Sequence, residues 1–445
     1  MERAFGQRRR IAVIGGGISG LSAAWLLSQA HSVTLFEADD RLGGHANTAE
    51  APGHHGPVPV DTGFIVYNEP NYPNFTALLD WLGVASRPAD MALSVSLDDG
   101  AFEYSSYGAL GLFAQKRNLF SARFWGMLRD VGRFYRQGPK DLAALEAPLT
   151  SLEAYLEEKG YCQAFRDDHL LPQAAAIWST PLSAIRDYPA AALIRFFQNH
   201  GMMSVFGRGL WRTVDGGSRA YVQALRAAFH GEARSGEAVA GVRRDPSGVT
   251  VQLASGRFER FDEVVIATHG DTALGLLEDP TAQERRLLAP FRYSKNRVVL
   301  HTDPALMPRR RRAWTSWNHI GRRGETGEGC VTYWMNRLQG IKDAPDLFVT
   351  LNPTREIAPE KTIRTEAYDH PLFDAAAIAA QAELWDLQGV NRTWFCGSYF
   401  GHGFHEDGLQ SGLAVAEQLG GVRRPWTVAG ESGRIHLRAP AERAA

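Results

Sequence analysis

Three glycines near the N-terminus have the spacing that brings a polypeptide backbone close to a phosphate group. Gly15, Gly17 and Gly20 follow the short apolar segment Ile11 to Ile14 in the order G-x-G-x-x-G. In such a turn the first glycine allows the tight bend, the second lets a pyrophosphate approach the backbone, and the third lets a helix pack on the strand. The free N–H groups at the start of that helix then face the phosphates.

The elements that must position these glycines follow in register. An Ala-rich apolar helix pattern continues to about Gln29, a second strand runs from Val33 to Phe36, and Glu37 comes directly after it. A carboxylate about 20 residues beyond the glycines accepts hydrogen bonds from an adenosine ribose. Strand, glycines, helix, strand and acid together predict a dinucleotide-binding βαβ unit, whereas the glycines alone are a weak signal.

The residues after Glu37 narrow the choice of nucleotide. Arg41, Gly43 and Gly44 complete an E-x-x-x-R-x-G-G pattern, in which the arginine can reach a phosphate and the glycines let the loop wrap beneath a flavin. The pattern resembles the FAD-binding signature of the flavin-containing amine oxidase and phytoene desaturase superfamily. His45 stands where many amine oxidases have an arginine, and this departure argues against amine oxidation.

A second block, Val60 to Tyr67 followed by Tyr72 to Phe75, resembles one bacterial branch of that superfamily. Proteins of this branch are usually described only as predicted NAD/FAD-binding or amine-oxidase-like. The branch is also similar to the flavin domain fused to plant cyclopropane fatty acid synthases. The resemblance implies that the turn at Thr62 and Gly63 approaches the flavin, and a plain strand-turn is the alternative interpretation.

The most specific resemblance lies near the C-terminus, in the segment Gly403 to Ala416, GFHEDGLQSGLAVA. It implies that a strand, a glycine-containing loop and a helix close the FAD site, with the helix N-terminus directed at the flavin. His405 is the first catalytic candidate because histidine titrates near neutrality and suits acid–base work. Its alternative role is to orient the flavin ring. Tyr399 is the second catalytic candidate.

The resemblance also implies a set of FAD-binding residues in three separated parts of the chain. Glu406 and Asp407 are expected to hold the flavin or its ribityl chain, and Val239 to offer its backbone to the adenine ring. The full expected set is Gly15, Gly17, Ile18, Ser19, Gly20, Glu37, Ala38, Arg41, Gly43, Gly44, His45, Thr62, Gly63, Phe64, Val239, Ala267, Thr268, Gly397, Ser398, Glu406, Asp407, Gly408 and Leu409. The expected substrate-pocket residues are Trp178, Tyr333, Trp334 and His402, although a core position is the alternative for Trp178.

Composition excludes several classes of protein. The chain has 445 residues, a net charge of −1 and three widely spaced cysteines. Nothing indicates bulk binding to nucleic acid, and without a C-x-x-C pair no zinc site, redox dithiol or disulfide framework is predicted. No apolar run reaches the length of a membrane span, and the basic N-terminal residues lead into a strand rather than a signal peptide. A reducing, cytoplasmic setting is expected.

The segment Tyr107 to Arg136 interleaves large apolar residues with six basic residues, among them Arg123, Arg129 and Arg133, and one acid, Asp130. A basic amphipathic helix can lie on an anionic membrane surface. The alternative is a helix pair whose apolar face covers the substrate cavity. The four arginines from 309 to 312 are either a solvated loop or a further contact with phosphate or lipid head groups.

Together these features predict an α/β fold: a Rossmann-like FAD-binding domain with an inserted mixed α+β substrate domain, as in the two-domain amine-oxidase-like fold. The FAD-binding domain is expected to comprise residues 1–75, 212–272 and 388–422. The substrate domain is expected to comprise residues 76–211 and 273–387, and residues 423–445 are expected to form a loosely ordered tail.

The resemblance implies an FAD-dependent oxidoreductase in which a hydride passes to the flavin N5. Only one dinucleotide fingerprint is present, so no second, NAD(P)H-binding domain is predicted. The expected substrate is a fatty acyl chain, as a small molecule or borne by a phospholipid, that is dehydrogenated or isomerised at a double bond. A phospholipid substrate would require peripheral contact with the inner membrane face. The alternatives are an amine or amino acid oxidase, and a flavin-binding partner of a lipid methyltransferase.

Overall fold

The computed structural model describes residues 8–145, 150–178, 182–203, 211–324 and 330–438. Within them the strands are β1 (Arg10–Ile14), β2 (Ser32–Phe36), β3 (Thr48–Ala51), β4 (Val58–Asp61), β5 (Tyr67–Asn68), β6 (Ser86–Ala89), β7 (Leu93–Leu97), β8 (Phe102–Ser105), β9 (Trp211–Val214), β10 (Glu232–Arg234), β11 (Val239–Asp245), β12 (Gly248–Leu253), β13 (Phe258–Phe261), β14 (Glu263–Ile266), β15 (Arg292–His301), β16 (Trp317–Gly321), β17 (Cys330–Trp334), β18 (Phe348–Leu351), β19 (Thr362–Leu372) and β20 (Thr393–Phe395).

The helices of the described residues are α1 (Ile18–Leu27), α2 (Pro73–Leu82), α3 (Gly108–Leu112), α4 (Ala122–Leu145), α5 (Leu152–Glu158), α6 (Gln163–Phe165), α7 (Leu171–Trp178), α8 (Leu182–Asp187), α9 (Ala190–Asn199), α10 (Arg219–Ala228), α11 (Gly270–Leu276), α12 (Ala282–Leu288), α13 (Met335–Leu338), α14 (Ala375–Gln381) and α15 (His405–Gly420). A π-helical segment, Arg166–Leu170, joins α6 to α7. In this part of the chain, no helix has the length and apolar character needed to cross a bilayer.

A five-stranded parallel sheet has the order β10-β2-β1-β14-β20. Its central strands are continuous apolar runs, as expected for strands covered on both faces, and residues 11–13 and 264–266 are fully buried. The strands come from separated parts of the chain, but their parallel pairing brings all the carboxyl ends to one edge. This edge carries the glycine turn after β1, Glu37 after β2, and the loops after β14 and β20.

Helices α1 and α15 pack closely against each other. A Cβ atom built at Gly412 would lie 2.2 Å from the Ser19 carbonyl oxygen, so only glycine fits at this crossing. Ile18 and Ser19 at the start of α1 and Gly408 in the first turn of α15 line one cavity. The close packing therefore places two helix N-termini at the same site.

The second large sheet has seven strands in the order β19-β15-β18-β17-β16-β7-β8. Its neighbours are antiparallel except β16 and β7, which are parallel. Val298 and Leu351 of this sheet pack in a core with Val60 of β4 and with Ile65, which lies between β4 and β5. Helix α7, from the middle of the chain, packs on β16 of this sheet.

Two local predictions are wrong for identifiable reasons. The sequence predicts a helix from Asn74 to about Asp90, but α2 ends at Leu82 because Gly83 adopts φ +66° and caps it in the left-handed conformation. The chain then forms β6. The sequence also places His370 and Pro371 in a turn, whereas both belong to β19. That strand lies at a sheet edge, where proline is tolerated.

The described part of the C-terminal segment, up to Arg438, has no helix or strand, yet it lies against the rest of the protein. Arg424 is buried and binds Asn74 and Glu417, each over 2.8 Å. Trp426 stacks on Trp25 with 5.9 Å between ring centroids. Ion pairs and single aromatic stacks leave no periodic pattern in a sequence. The sequence alone therefore predicts a loosely ordered tail here.

Candidate functional site

A cavity of 560 Å³ is lined on one side by the loops at the carboxyl edge of the parallel sheet and on the other by the seven-stranded sheet and by α7 and α9. Most of the predicted site residues line it. These are Gly15, Gly17, Ile18, Ser19, Glu37, Gly43, Gly44, His45, Thr62, Gly63, Phe64, Ala267, Thr268, Tyr333, Gly397, Ser398, Tyr399, His402, His405 and Gly408.

The glycine turn has a geometry that explains its spacing. Gly15 has φ +104°, and a Cβ there would lie 2.8 Å from the Ala267 carbonyl oxygen. A Cβ at Gly20 would lie 1.9 Å from the Gly15 carbonyl oxygen, so α1 meets the turn only through glycine. At Gly17, by contrast, nothing lies within 4 Å of a built Cβ, and the residue lines the cavity. This open space is where a pyrophosphate could approach the backbone.

Glu37 holds the glycine turn through one carboxylate oxygen and the loop after β2 through the other. The Gly16 N–H donates to Oε2 over 2.6 Å, and the Asp39 N–H donates to Oε1 over 2.9 Å. Each oxygen keeps a second lone pair, so the carboxylate can also accept hydrogen bonds from ribose hydroxyls. The Gly43 N–H donates to the Gly16 carbonyl over 2.8 Å, which fixes the loop of Gly43 and Gly44 on the same turn.

The Thr62-Gly63 turn lies on the loop that carries His45. A Cβ at Gly63 would lie 2.2 Å from the His45 carbonyl oxygen, and the Phe64 N–H donates to that oxygen over 2.7 Å. The hydroxyls of Thr62 and Tyr368 lie 2.8 Å apart. Two backbones therefore meet closely at the cavity, which is more than a plain strand-turn requires.

His405, at the first position of α15, stacks on Phe64 with 3.8 Å between ring centroids and 8° between ring planes. Its Nε2 lies 2.6 Å from the Tyr221 hydroxyl. Burial lowers the pKa of His405 to about 3, so the ring is neutral at neutral pH. We assign Tyr221 as the donor, which places the ring proton on Nδ1. This arrangement favours the orienting role over acid–base chemistry.

Tyr399 lines the cavity and is almost completely buried. The hydroxyl oxygen is buried and has no hydrogen-bond partner in the described ranges. Burial raises the pKa of Tyr399 well above the ordinary value, so the hydroxyl stays protonated. Burial also lowers the pKa of His402. The loop between β20 and α15 thus gives the cavity a neutral, largely aromatic wall.

Glu406 and Asp407 lie on α15 but away from the cavity lining. Glu406 accepts hydrogen bonds from the backbone N–H groups of Asn74 and Phe75 over 3.1 and 2.9 Å. Asp407 forms an ion pair with Arg434 over 2.6 Å. These buried carboxylates anchor α15 to α2 and to the C-terminal segment, so their positions do not support the predicted contact with the flavin or its ribityl chain.

Other predicted residues also lie outside the lining. Successive side chains of a strand point to opposite faces, so Tyr333 of β17 reaches the cavity while the indole Nε1–H of Trp334 donates to Asp346 over 3.0 Å. Arg41 lies 3.9 Å from Asp39 in an ion pair. Gly20, Ala38, Val239 and Leu409 do not line the cavity. The side chain of Trp178 lies outside the described residues.

A histidine cluster beside the glycine loops is only partly visible in the sequence. The His45 ring lies 5.6 Å from His370 and 6.1 Å from His269, measured between centroids. Burial lowers the pKa of all three, and the other two rings lower that of His45 further. His269 follows β14, and His370 lies in β19. No spacing rule connects either residue to His45. In the described ranges, no group of three His, Cys, Asp or Glu side chains is placed to hold a metal ion.

Comparison with known proteins identifies the family. Residues 18–337, which are most of the chain, match the model of the flavin containing amine oxidoreductases. The chain belongs to this family. It is therefore an FAD-dependent oxidoreductase, and the enzyme class and cofactor expected from the sequence are confirmed.

Curated relatives of this flavin oxidoreductase match over unequal lengths. Polyamine oxidase 4 of Oryza sativa subsp. japonica is 24% identical over 351 residues, which cover 76% of this chain and 66% of the rice protein. Coproporphyrinogen III oxidase of Mycobacterium tuberculosis is 44% identical over 85 residues, or 18% of this chain and 17% of that protein. The chain thus spans less than two thirds of the length of these relatives.

Solved structures show the same fold. Putrescine oxidase bound to putrescine has a TM-score of 0.66 at 15% identity, with 93% of this chain and 99% of the other covered. The CLA-producing fatty acid isomerase from P. acnes has a TM-score of 0.61 at 16% identity, with 92% and 98% covered. These likenesses confirm the predicted amine-oxidase-like two-domain fold.

The cavity residues fit FAD on structural grounds. Gly17 leaves open space beside the backbone, and Glu37 keeps lone pairs for a ribose. The N-termini of α1 and α15 favour negative charge at the same site. The flavin oxidoreductase would therefore hold the phosphates at the glycine turn and the ring near the start of α15.

Proposed function

We propose that this flavin oxidoreductase acts on an esterified fatty acyl chain, which is dehydrogenated or isomerised at a double bond. The observation that carries the proposal is the charge of the cavity. Among the described residues, the lining contains no Lys or Arg, and its carboxylates are Glu37 and Asp369. The rest of the described lining carries no carboxylate, lysine or arginine: it consists of apolar, aromatic and histidine residues with glycines and a few Ser, Thr and Gln side chains.

Such a cavity is a poor site for an anionic substrate. A buried carboxylate needs a cationic or hydrogen-bonding partner, because burial of an unpaired charge is costly. Burial lowers the pKa of the cavity histidines His200 and His370 to about 3 and about 4, so these rings are neutral as well. The described lining therefore argues against an amino acid or an unesterified fatty acid, and an ester removes that difficulty.

The substrate side of the cavity suits an alkyl chain. Met91, Leu93, Ile177, Phe196 and Met202 all line it. Each methylene group transferred from water to such surroundings contributes roughly 0.8 kcal/mol, and methionine adapts to irregular shapes. Burial of apolar surface alone therefore favours binding of a long chain, without a fixed polar contact.

When bound, FAD supplies the hydride acceptor for this chemistry. The protein's own residues supply orientation and exclusion of water. His405 is held between Phe64 and the Tyr221 hydroxyl, and the Tyr399 ring closes the neighbouring wall. These rigid aromatic contacts restrict how a chain can lie against the cofactor site.

Amine oxidation is the second candidate. It is favoured by the alignment with Polyamine oxidase 4, which covers 76% of this chain. Asp369 could pair with an ammonium group, whereas Glu37 already accepts two backbone hydrogen bonds. Two features favour an acyl chain over an amine as the substrate. His45 stands where many amine oxidases have an arginine, and the lining is largely apolar.

The test uses the FAD-loaded protein without oxygen, presented in turn with dioleoylphosphatidylcholine in detergent, putrescine and leucine. Flavin absorbance reports reduction, and gas chromatography with mass spectrometry of the released acyl chains reports their mass and the position of the double bond. Dehydrogenation should bleach the flavin and yield an acyl chain two hydrogens lighter. Isomerisation should leave mass and absorbance unchanged while the double bond moves. A Gly17→Ala variant without FAD is the control for protein-dependent chemistry.

Bleaching by putrescine or leucine, with the lipid unchanged, would replace the acyl proposal by the amine or amino acid alternative. Absence of any product, combined with stimulation of an added lipid methyltransferase, would favour the flavin-binding partner instead.

A further inference from the structure

Exposed apolar side chains concentrate in one segment of this protein. Of nine exposed large hydrophobic residues in the described ranges, five lie between positions 107 and 125: Tyr107, Leu110, Leu119, Phe120 and Trp125. Phe120 is 91% exposed and Leu110 80% exposed. Isolated exposed apolar residues are common, but a concentration of this kind marks a contact surface.

Cations from two distant parts of the sequence join these residues. Lys116 and Arg117 belong to the same 3₁₀ turn as Leu119 and Phe120. The structure places them in one shallow groove with Arg312, and Arg309 precedes Arg312 by three residues. Helix α3, which carries Leu110, packs on the turn that contains Arg312. We call the five apolar residues together with Lys116, Arg117, Arg309 and Arg312 the basic-aromatic surface.

The four cations of this surface are exposed, and none forms an ion pair with another described residue. Their neighbours are different. Arg310 binds Glu103 over 2.8 Å, and Arg311 binds Asp346 over 2.9 Å. The surface therefore carries positive charge that the rest of the described protein does not neutralise.

The structure also shows which of the arginines suggested by the sequence are free to contact a membrane. Arg123, one of the basic residues that the sequence suggests for a membrane contact, binds Asp168 through two hydrogen bonds of 2.8 and 3.0 Å. Arg133 pairs with Asp130 over 3.3 Å and lies 4.0 Å over the Tyr161 ring. These contacts hold α4 in place, so the free charge lies at Lys116, Arg117, Arg309 and Arg312 instead.

The basic-aromatic surface adjoins the wall of the cavity. Ser106 lines the cavity and is followed directly by the exposed Tyr107. Helix α4 carries the exposed Trp125 near its start and Tyr135, a cavity residue, farther along. One continuous piece of structure therefore leads from the surface to the space for the substrate.

We infer that the basic-aromatic surface docks this protein on an anionic phospholipid bilayer, from which the acyl chain is drawn. The source of the chain rests on the proposed function, whereas the docking follows from exposure and charge. Lys and Arg attract anionic head groups, and aromatic and aliphatic side chains enter the interface. No acid occurs in residues 107–125 or 309–312. A nucleic acid would match the cations but would leave Leu110 and Phe120 in water.

The test is co-sedimentation of the FAD-loaded protein with phosphatidylglycerol-rich vesicles and with phosphatidylcholine vesicles. We expect a preference of about tenfold or more for the anionic vesicles at low salt, which falls as salt screens the charges. The charge variant is K116E/R117E/R309E/R312E, and the apolar variant is L110S/F120S. Both should lose about tenfold or more in vesicle binding. Flavin absorbance confirms that each variant is folded and loaded.

A matched control reverses four exposed cations elsewhere that form no ion pair in the described structure, R243E/R285E/R297E/K342E. This control changes net charge equally and should keep most of its binding. Equal losses in the control and the charge variant would overturn the inference, as would full binding by the apolar variant together with equal binding to heparin. Turnover of detergent-dispersed lipid separates the two proposals, because it needs the active site but no bilayer.

Discussion

Nε2 of His405 lies 2.6 Å from the hydroxyl of Tyr221, and this one contact limits what the histidine can do. The ring is also stacked on Phe64, and burial lowers its pKa to about 3. A neutral ring with an occupied Nε2 orients its neighbours well and accepts protons poorly. The helix start at α15 thus holds a fixed aromatic group beside the cofactor site.

Tyr221→Phe removes the donor and keeps the ring packing. We expect FAD to remain bound, the flavin spectrum to shift, and turnover to fall by roughly tenfold or less, because one hydrogen bond contributes about 0.5–1.5 kcal/mol. The pH dependence of kcat/KM should keep its shape, since His405 does not titrate in the working range. If His405→Ala removes a limb of the pH profile and costs roughly 10²–10⁴-fold, acid–base catalysis by His405 is restored.

Two glycines of the fingerprint should respond differently to the same substitution. Gly17 has φ −68° and open space at its Cβ position, so Gly17→Ala should fold normally and lose FAD affinity by about tenfold or more through obstruction of the pyrophosphate. Gly20→Ala would place a Cβ 1.9 Å from the Gly15 carbonyl oxygen and should lower the stability of the apoprotein. Calorimetric FAD titration and urea unfolding separate the effects, and Gly132→Ala, with open space in α4, is the control. Loss of stability in Gly17→Ala would contradict this assignment.

A cation placed in the cavity should shift its preference from an esterified chain to a free carboxylate. Leu93 lines the substrate side, and Leu93→Arg would provide the partner that a free carboxylate needs. We expect turnover of the esterified chain to fall and binding of free oleate to strengthen by about tenfold, the scale of a charged hydrogen bond. Flavin spectral titration measures both, with Leu93→Met as the volume-conserving control. Strong oleate binding by the unmodified protein would show that the cavity already contains such a partner.

Acid should destabilise the fold through its histidines. Burial lowers the pKa of His200 and His405 to about 3 and of His301, His319 and His370 to about 4, against 6.5 for exposed histidine. Below pH 6.5 the unfolded chain therefore binds more protons than the folded one, and the free energy of unfolding falls as pH drops toward the folded pKa values.

Two buried carboxyls act in the opposite direction, because burial raises the pKa of Glu406 as well as that of Asp61. Burial raises the pKa of Asp61 from 3.8 to about 6, so its contribution is present at low pH, is lost as pH rises through about 6, and offsets about one histidine. The net slope should exceed the single-proton value of about 1.4 kcal/mol per pH unit near pH 5.5. Urea unfolding at constant ionic strength between about pH 7 and pH 5 measures it, and a flat or rising stability on acidification would contradict the expectation.

The parts of the site that follow a sequence rule were predictable. The glycine turn, Glu37 and the loop of Gly43 and Gly44 act through backbone geometry, which fixes both residue type and spacing. The same holds for the small residues where α1 crosses α15. The residue of β17 that lines the cavity was less predictable. Tyr333 and Trp334 are adjacent, and only the register of β17 decides which one reaches the cavity.

The remaining parts depend on tertiary contacts that leave no local pattern. Glu406 and Asp407 sit in the most specific motif of the chain, yet their partners are Asn74, Phe75 and Arg434, which lie far away in sequence. The cluster of His45, His269 and His370 forms only when the two sheets meet. Charge along Tyr107 to Arg136 was visible, but which arginines are already paired was not.

The parallel sheet has a consequence for synthesis of the chain. β1 ends at Ile14, while its neighbour β14 begins at Glu263 and the edge strand β20 ends at Phe395. At roughly 5–20 residues per second, β1 leaves the ribosome some tens of seconds before its second neighbour exists. For most of that time the apolar β1–α1–β2 unit has two open strand edges, because β10, the outer neighbour of β2, begins only at Glu232, and it has no α15 to cover its helix. The yield of folded protein should therefore depend on the chaperones that protect this unfinished sheet, more than on the stability of the finished one.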